Sequence, residues 1–124
     1  MMLRARILAE SLRPGAVLEV PDLRVARMWR EDVSASAGPG QPPVWTLLDV
    51  EAPDERAGEL ADALAAAISA EGGWYADFRV GGDHVVVFAG RSFRYRRGDE
   101  PARAHVVGYG RSVGVPEHQL DWNG

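Results

Sequence analysis

Between Gly73 and Gly98 the chain changes its hydrophobic period twice in quick succession. Trp74, Ala76, Phe78 and Val80 alternate with Tyr75, Asp77 and Arg79, the period of two that gives a strand one buried and one open face. Gly81-Gly82 offers two positions for positive φ, as a tight hairpin needs. His84-Val85-Val86-Val87-Phe88-Ala89 is a continuous β-branched and aromatic run without alternation, the pattern of a strand covered on both faces. Ala89-Gly90-Arg91 permits a second reversal, and Phe93 and Tyr95 then alternate with Ser92, Arg94 and Arg96. The pattern predicts a three-stranded meander around which the helices pack.

Elsewhere the periods are weaker. Leu3, Ile7, Leu8 and Leu12 have helical spacing and predict a short helix over 3–12, although Arg4 and Arg6 sit at the end where a helix dipole disfavours cations. Pro14-Gly15 ends it, and Val17 to Val20 reads as a brief extended piece. In 23–33, Leu23, Val25 and Trp29 share one face, and Ala26 and Met28 share the other with Arg24 and Arg30; Arg27 interrupts the apolar face and marks an edge strand. Residues 34–43 hold small residues, glycines and prolines, the composition of a mobile surface loop. Residues 44–51 alternate as a strand. Pro53-Asp54 opens a helix with Asp54 as its cap, and Leu60, Leu64 and Ile68 form its stripe. Gly72-Gly73 is expected to close it. Asp99 caps a second helix with Ala102, Val106, Tyr109 and Val113 inward, weakened by Gly108 and Gly110. Leu120 and Trp122 are expected to dock the tail on the domain.

These elements predict one α+β domain over 1–124, a two-layer sandwich. Its antiparallel or mixed sheet has four to five strands and two main helices on one face. The strand–helix–strand unit over 44–80 resembles half of a ferredoxin-like domain, with 23–33 pairing with 44–51. Leu60, Leu64, Ile68, Val86 and Phe88 are expected in one core.

Composition sharpens this only in part. Hydrophobic residues are 46% of the chain, yet 18 positions are alanine, so Val, Leu and the aromatics must supply the core. There is no cysteine, which removes disulfides, thiol catalysis and cysteine-ligated zinc. All 14 basic residues are Arg, permanently charged and shaped for bidentate pairing with carboxylate or phosphate. The net charge of −4 is uneven: +3 over 1–30, −9 over 31–77 and +2 over 78–124. That sign argues against nucleic acid as a partner, while the asymmetry favours ion pairing within the chain or contact between copies. No apolar run reaches the ~20 residues of a membrane span, and Glu10 interrupts the N-terminal apolar run, unlike a signal peptide. The expected setting is cytoplasmic.

Tyr75, Asp77 and Arg79 on the first meander strand, with Arg91, Arg94, Arg96 and Arg97 around the third, form the candidate binding set: an anion-binding or partner-binding face. The competing reading is cross-strand ion pairing, Asp77 with an arginine. His84, His105 and His118 lack two-histidine helical spacing, so no metal site is assigned, and Glu117, His118 and Asp121 on the tail are the nearest approach to one. Ser92 and Ser112 lie outside a nucleophile elbow, and Gly108-x-Gly110 lacks the third glycine of a dinucleotide site. No catalytic residue and no cofactor is assigned.

GWYADFR, VVFAGRSFRYRRGD and YGRSVGVPEHQLDW, within residues 44–122, resemble segments of a group of short uncharacterised proteins of high-GC bacteria. That group has no known activity, so the resemblance implies no functional residue. The function expected is a non-catalytic protein-interaction or regulatory module, with a protein partner or a second copy as in a homodimer. The alternatives are a small-anion binder and an enzyme without a recognisable motif.

Overall fold

The computed structural model describes residues 1–122. Six strands form one antiparallel sheet: β1 (Met2–Leu8), β2 (Arg24–Asp32), β3 (Val44–Pro53), β4 (Ala76–Val80), β5 (Asp83–Phe88) and β6 (Arg91–Arg96). The order is β2-β3-β1-β4-β5-β6. Two helices, α1 (Ala57–Ala67) and α2 (Glu100–Ser112), complete the α+β domain. Among the described residues no helix is long and apolar enough to cross a membrane.

The sixth strand is the segment expected to be helical. Leu3, Ala5 and Ile7 are buried while Met2, Arg4 and Arg6 are not, and this period of two prevails over the looser helical spacing. Its charges explain the choice. Arg4 pairs with Glu51 at 2.6 Å and Arg6 with Asp49 at 2.8 Å across the β1–β3 ladder, partners that a separate helix would not have met. β1 is antiparallel to both β3 and β4 and lies between them. The β3–α1–β4 crossover therefore joins two parallel strands with β1 inserted.

The helices pack on opposite faces of the sheet, not on one. Leu60, Leu64 and Ile68 lie in a core with Leu3, Ile7, Val50, Phe78, Val85 and Val87. Val86 and Phe88 lie in a second core with Tyr95, Val106, Leu120 and Trp122. The single core expected for these residues is thus two, because successive side chains of a strand point to opposite faces. The unbroken apolar run of β5 serves both layers.

Local chemistry accounts for the ends of the elements. Asp99 caps α2 by accepting from the Ala102 N–H at 3.0 Å. Asp54 caps nothing with its side chain: residues Asp54–Arg56 form a 3-10 turn ahead of α1. α1 stops at Ala67, before the glycine pair, because Ile68 turns extended and bridges Leu12. In the β4–β5 turn only Gly81 takes a positive φ, 56°. Gly110 is a close-approach site: a Cβ there would lie 2.8 Å from Leu120 and 3.2 Å from Phe88. Val113, expected inward, is exposed.

β2 carries a register irregularity between Val25 and Arg27. This bulge places Val25 and Met28 together, opposite Val50 and Leu48 on the α1 side, with Arg24, Arg27 and Trp29 on the other face. The face assignment expected from strict alternation is corrected accordingly. The 34–43 loop is anchored: Gln41 is buried and donates to the Gly72 carbonyl at 2.8 Å, and the Ser36 carbonyl accepts from Gln119 Nε2 at 2.8 Å. Leu120 and Trp122 dock on the second core.

Candidate functional site

The tail and α2 cover only the β4–β5–β6 side of the second face. Where that cover ends, a groove of about 360 Å³ opens between the tail and the β1–β3 side of the sheet. Arg6 and Leu8 of β1 and Leu47 of β3 line it on the sheet side, with Glu31 of β2 at one end. Trp45, Trp74 and Tyr75 supply aromatic wall, and Asp77, His118, Gln119 and Asp121 supply polar groups. Trp45 and Trp74 meet edge-on with ring centroids 5.5 Å apart, an arrangement the ring quadrupole favours.

The polar wall is held from behind. Asp77 Oδ2 lies 2.7 Å from Nε2 of His84, whose residue is 1% exposed. The His84 ring stacks on Tyr95 at 5.8 Å, and the Tyr95 hydroxyl accepts from Trp122 Nε1 at 2.8 Å. Arg103 donates to the Trp122 carbonyl at 2.8 Å. Tyr75 donates its hydroxyl to the Gln119 carbonyl and meets the Trp122 ring edge-on. Burial, reinforced by the Asp77 and Asp121 carboxylates, pushes the Tyr75 phenol far above its ordinary range. It is a neutral donor at all ordinary pH. The tail is sewn to the loop by Gln119 Nε2, which also donates to Gln41 Oε1 at 2.8 Å, and by His118 Nε2, which donates to the Ser36 carbonyl at 2.7 Å.

Charge in the groove is lopsided. Arg6 is its one arginine, and it is engaged by Asp49 in a two-pronged pair of 2.8 and 3.2 Å. That pairing holds the Asp49 carboxyl below the usual range. Glu31, Asp77 and Asp121 leave the lining acidic.

The seven residues of the sequence-derived site do not form one face. Tyr75 and Asp77 reach the groove. Arg79 is exposed further along β4, opposite His84. Arg94 and Arg96 oppose Val85 and Asp83, on the α1 side of the sheet, and Arg94 pairs with Asp83 at 2.8 Å. Arg91 lies on the α2 side, its guanidinium 4.6 Å over the Phe93 ring and 5.0 Å over Tyr109. Arg97 sits past the end of β6, its N–H bonded to the Gly82 carbonyl. Asp77, expected to pair with an arginine, pairs with a histidine. On the tail, Glu117 is taken by Arg111 at 2.8 Å and His118 by the Ser36 carbonyl. Among the described residues no group of three acidic or histidine side chains is placed to hold a metal ion.

Sequence reasoning missed Trp45, Gln41 and Gln119 as site-forming residues. The one available signal was a polar glutamine set between glycine and proline in an otherwise featureless loop. Compared with protein-family models, curated proteins and solved structures, the chain matches none.

Proposed function

We propose that this chain is a non-catalytic, cytoplasmic protein-interaction module whose groove receives a basic side chain from a partner protein. The observation that carries this reading is the pairing of three carboxylates with an aromatic wall, beside an arginine already neutralised by Asp49. A guanidinium or ammonium entering the groove meets Asp77 and Asp121 as charge partners and the faces of Trp45 and Tyr75 as cation–π partners. An anion would meet net repulsion there. The fold reading that goes with this is a ferredoxin-like relative, supported by the parallel β3 and β4 with β1 between them.

The test is a tryptophan-fluorescence titration with Nα-acetylarginine amide, with inorganic phosphate as the opposing probe. Saturable change with the arginine amide, lost in Asp121→Asn and in Asp77→Asn, is the expected result. Saturation by phosphate and none by the amide would overturn it in favour of the small-anion alternative.

A further inference from the structure

β2 ends the sheet with nine residues, none of them buried. No strand lies beside its outer row of backbone N–H and C=O groups among the described residues, and such an edge is a template for pairing unless it is blunted. Val25 and Met28, 56% and 66% exposed, stand side by side on the α1 face of this edge. On the opposite face Arg24 and Arg27 occupy the first part of the strand and Glu31 its end. Arg30 follows Met28 on the α1 face, so the strand is basic from Arg24 to Arg30, with Val25 and Met28 between, and acidic at Glu31 and Asp32.

We infer that β2 pairs antiparallel with β2 of a second copy, across a two-fold axis at Met28, so that two sheets become one. This register sets Met28 against Met28 and Arg27 against the indole of Trp29. Once the bulge at Ala26 is stepped over, Arg24 falls against Glu31 on the same face. Opposite charges across a strand pair stabilise it and like charges destabilise it. A parallel pairing of the same strand would stack basic end on basic end, so the charge pattern selects the antiparallel one. Arg24, which already pairs with Glu51 of its own chain at 2.6 Å, gains Glu31 of the second copy as a further carboxylate, and Arg27, whose guanidinium lies 4.1 Å over its own Trp29 ring, meets a second indole.

The other edge of the sheet cannot do the same. β6 carries Arg91, Arg94 and Arg96, with Arg97 following and no carboxylate in the strand, so a second copy of it offers these arginines no opposite charge. Only one edge complements itself, so the assembly is isologous and closes at two.

The measurement is solution mass by sedimentation equilibrium. The wild-type chain is expected at twice 13.5 kDa. Met28→Glu and Met28→Arg change an exposed position, away from the groove, and set like charges across the axis. Each should run as a single copy with an unchanged circular dichroism spectrum, and an equimolar mixture of the two should return to the two-copy mass. A wild-type single-copy mass, an assembly larger than two, or either variant remaining paired would overturn the inference. A mixture that stays single-copy would overturn the register. In wild type, amide exchange of β2 should quicken on dilution; exchange independent of concentration counts against the interface whatever the variants do.

Discussion

Asp77 and His84 face each other diagonally across the β4–β5 ladder, with His84 Nε2 2.7 Å from Asp77 Oδ2. The relationship is unequal. The carboxylate is partly open on the groove side, while the imidazole is enclosed and its Nδ1 has no partner among the described residues. Removing the acid therefore strands the ring. Asp77→Ala should cost about 1–3 kcal/mol, the usual cost of leaving a buried polar group unsatisfied. Asp77→Ala with His84→Phe should recover part of that loss, because the ring stack on Tyr95 remains and the polar group is gone. Urea unfolding of the single and double variants checks the coupling; simple additivity would show that the pair contributes nothing.

Leu64 is fully enclosed between α1 and the sheet. Leu64→Ala should lower the unfolding free energy by ~2–5 kcal/mol, in the range of buried leucine truncations. A loss below about 0.5 kcal/mol, the scale of surface substitutions, would mean that α1 presents another face.

Gly110→Ala separates helix propensity from packing. An exposed helical glycine replaced by alanine gains about 1 kcal/mol. Here the added methyl would meet Leu120 and Phe88 well inside ordinary contact distance. The substitution should instead destabilise by about 1–3 kcal/mol, as overpacking does. A raised melting temperature would show that the tail yields without cost.

Acid should weaken the protein through the β1–β3 ladder. Arg6 holds the Asp49 carboxyl below its ordinary value, and Arg4 and then Arg24 do the same for Glu51. A carboxyl depressed in the folded state contributes stability above its unfolded value, and that contribution is lost as pH falls through the folded one. Melting temperature should therefore drop as pH falls below about 4, the unfolded carboxylate range. Asp49→Asn should flatten that drop. An unchanged slope in the variant would place the acid sensitivity elsewhere.

Strands with a strict period of two were legible because each encodes its own buried face, and β5 was legible as an unbroken β-branched run between two turns. The meander appears at β4, β5 and β6 within a residue or two of the expected positions, as does β3. β1 was not legible, because Leu3, Ile7 and Leu8 satisfy helical spacing as well as they satisfy a strand. The deciding partners, Glu51 and Asp49, lie far along the chain. The bulge at Ala26 inverts alternation midway through β2 with no glycine or proline to announce it. Of the groove, Tyr75 and Asp77 could be singled out as polar positions on a strand. Their true neighbours could not: Gln119 and Gln41 meet through folding alone. The arginine cluster around β6 was misleading because closeness in sequence along a strand divides residues between two faces instead of gathering them.

The central place of β1 bears on the order in which the chain assembles. The β2–β3 ladder and the β4–β5–β6 meander are each built from neighbouring segments and can form locally. They touch in the sheet only through β1, which pairs Ala5 with Val50 on one side and with Phe78 on the other. A segment that comes before both units in the chain must therefore wait for both before it has a slot to enter. Closing such distant pairings carries the loop entropy that slows folding. Until β1 is seated, the nascent structure has two raw strand edges facing one another across a gap one strand wide. β1 supplied in trans should therefore complete a chain that lacks its own.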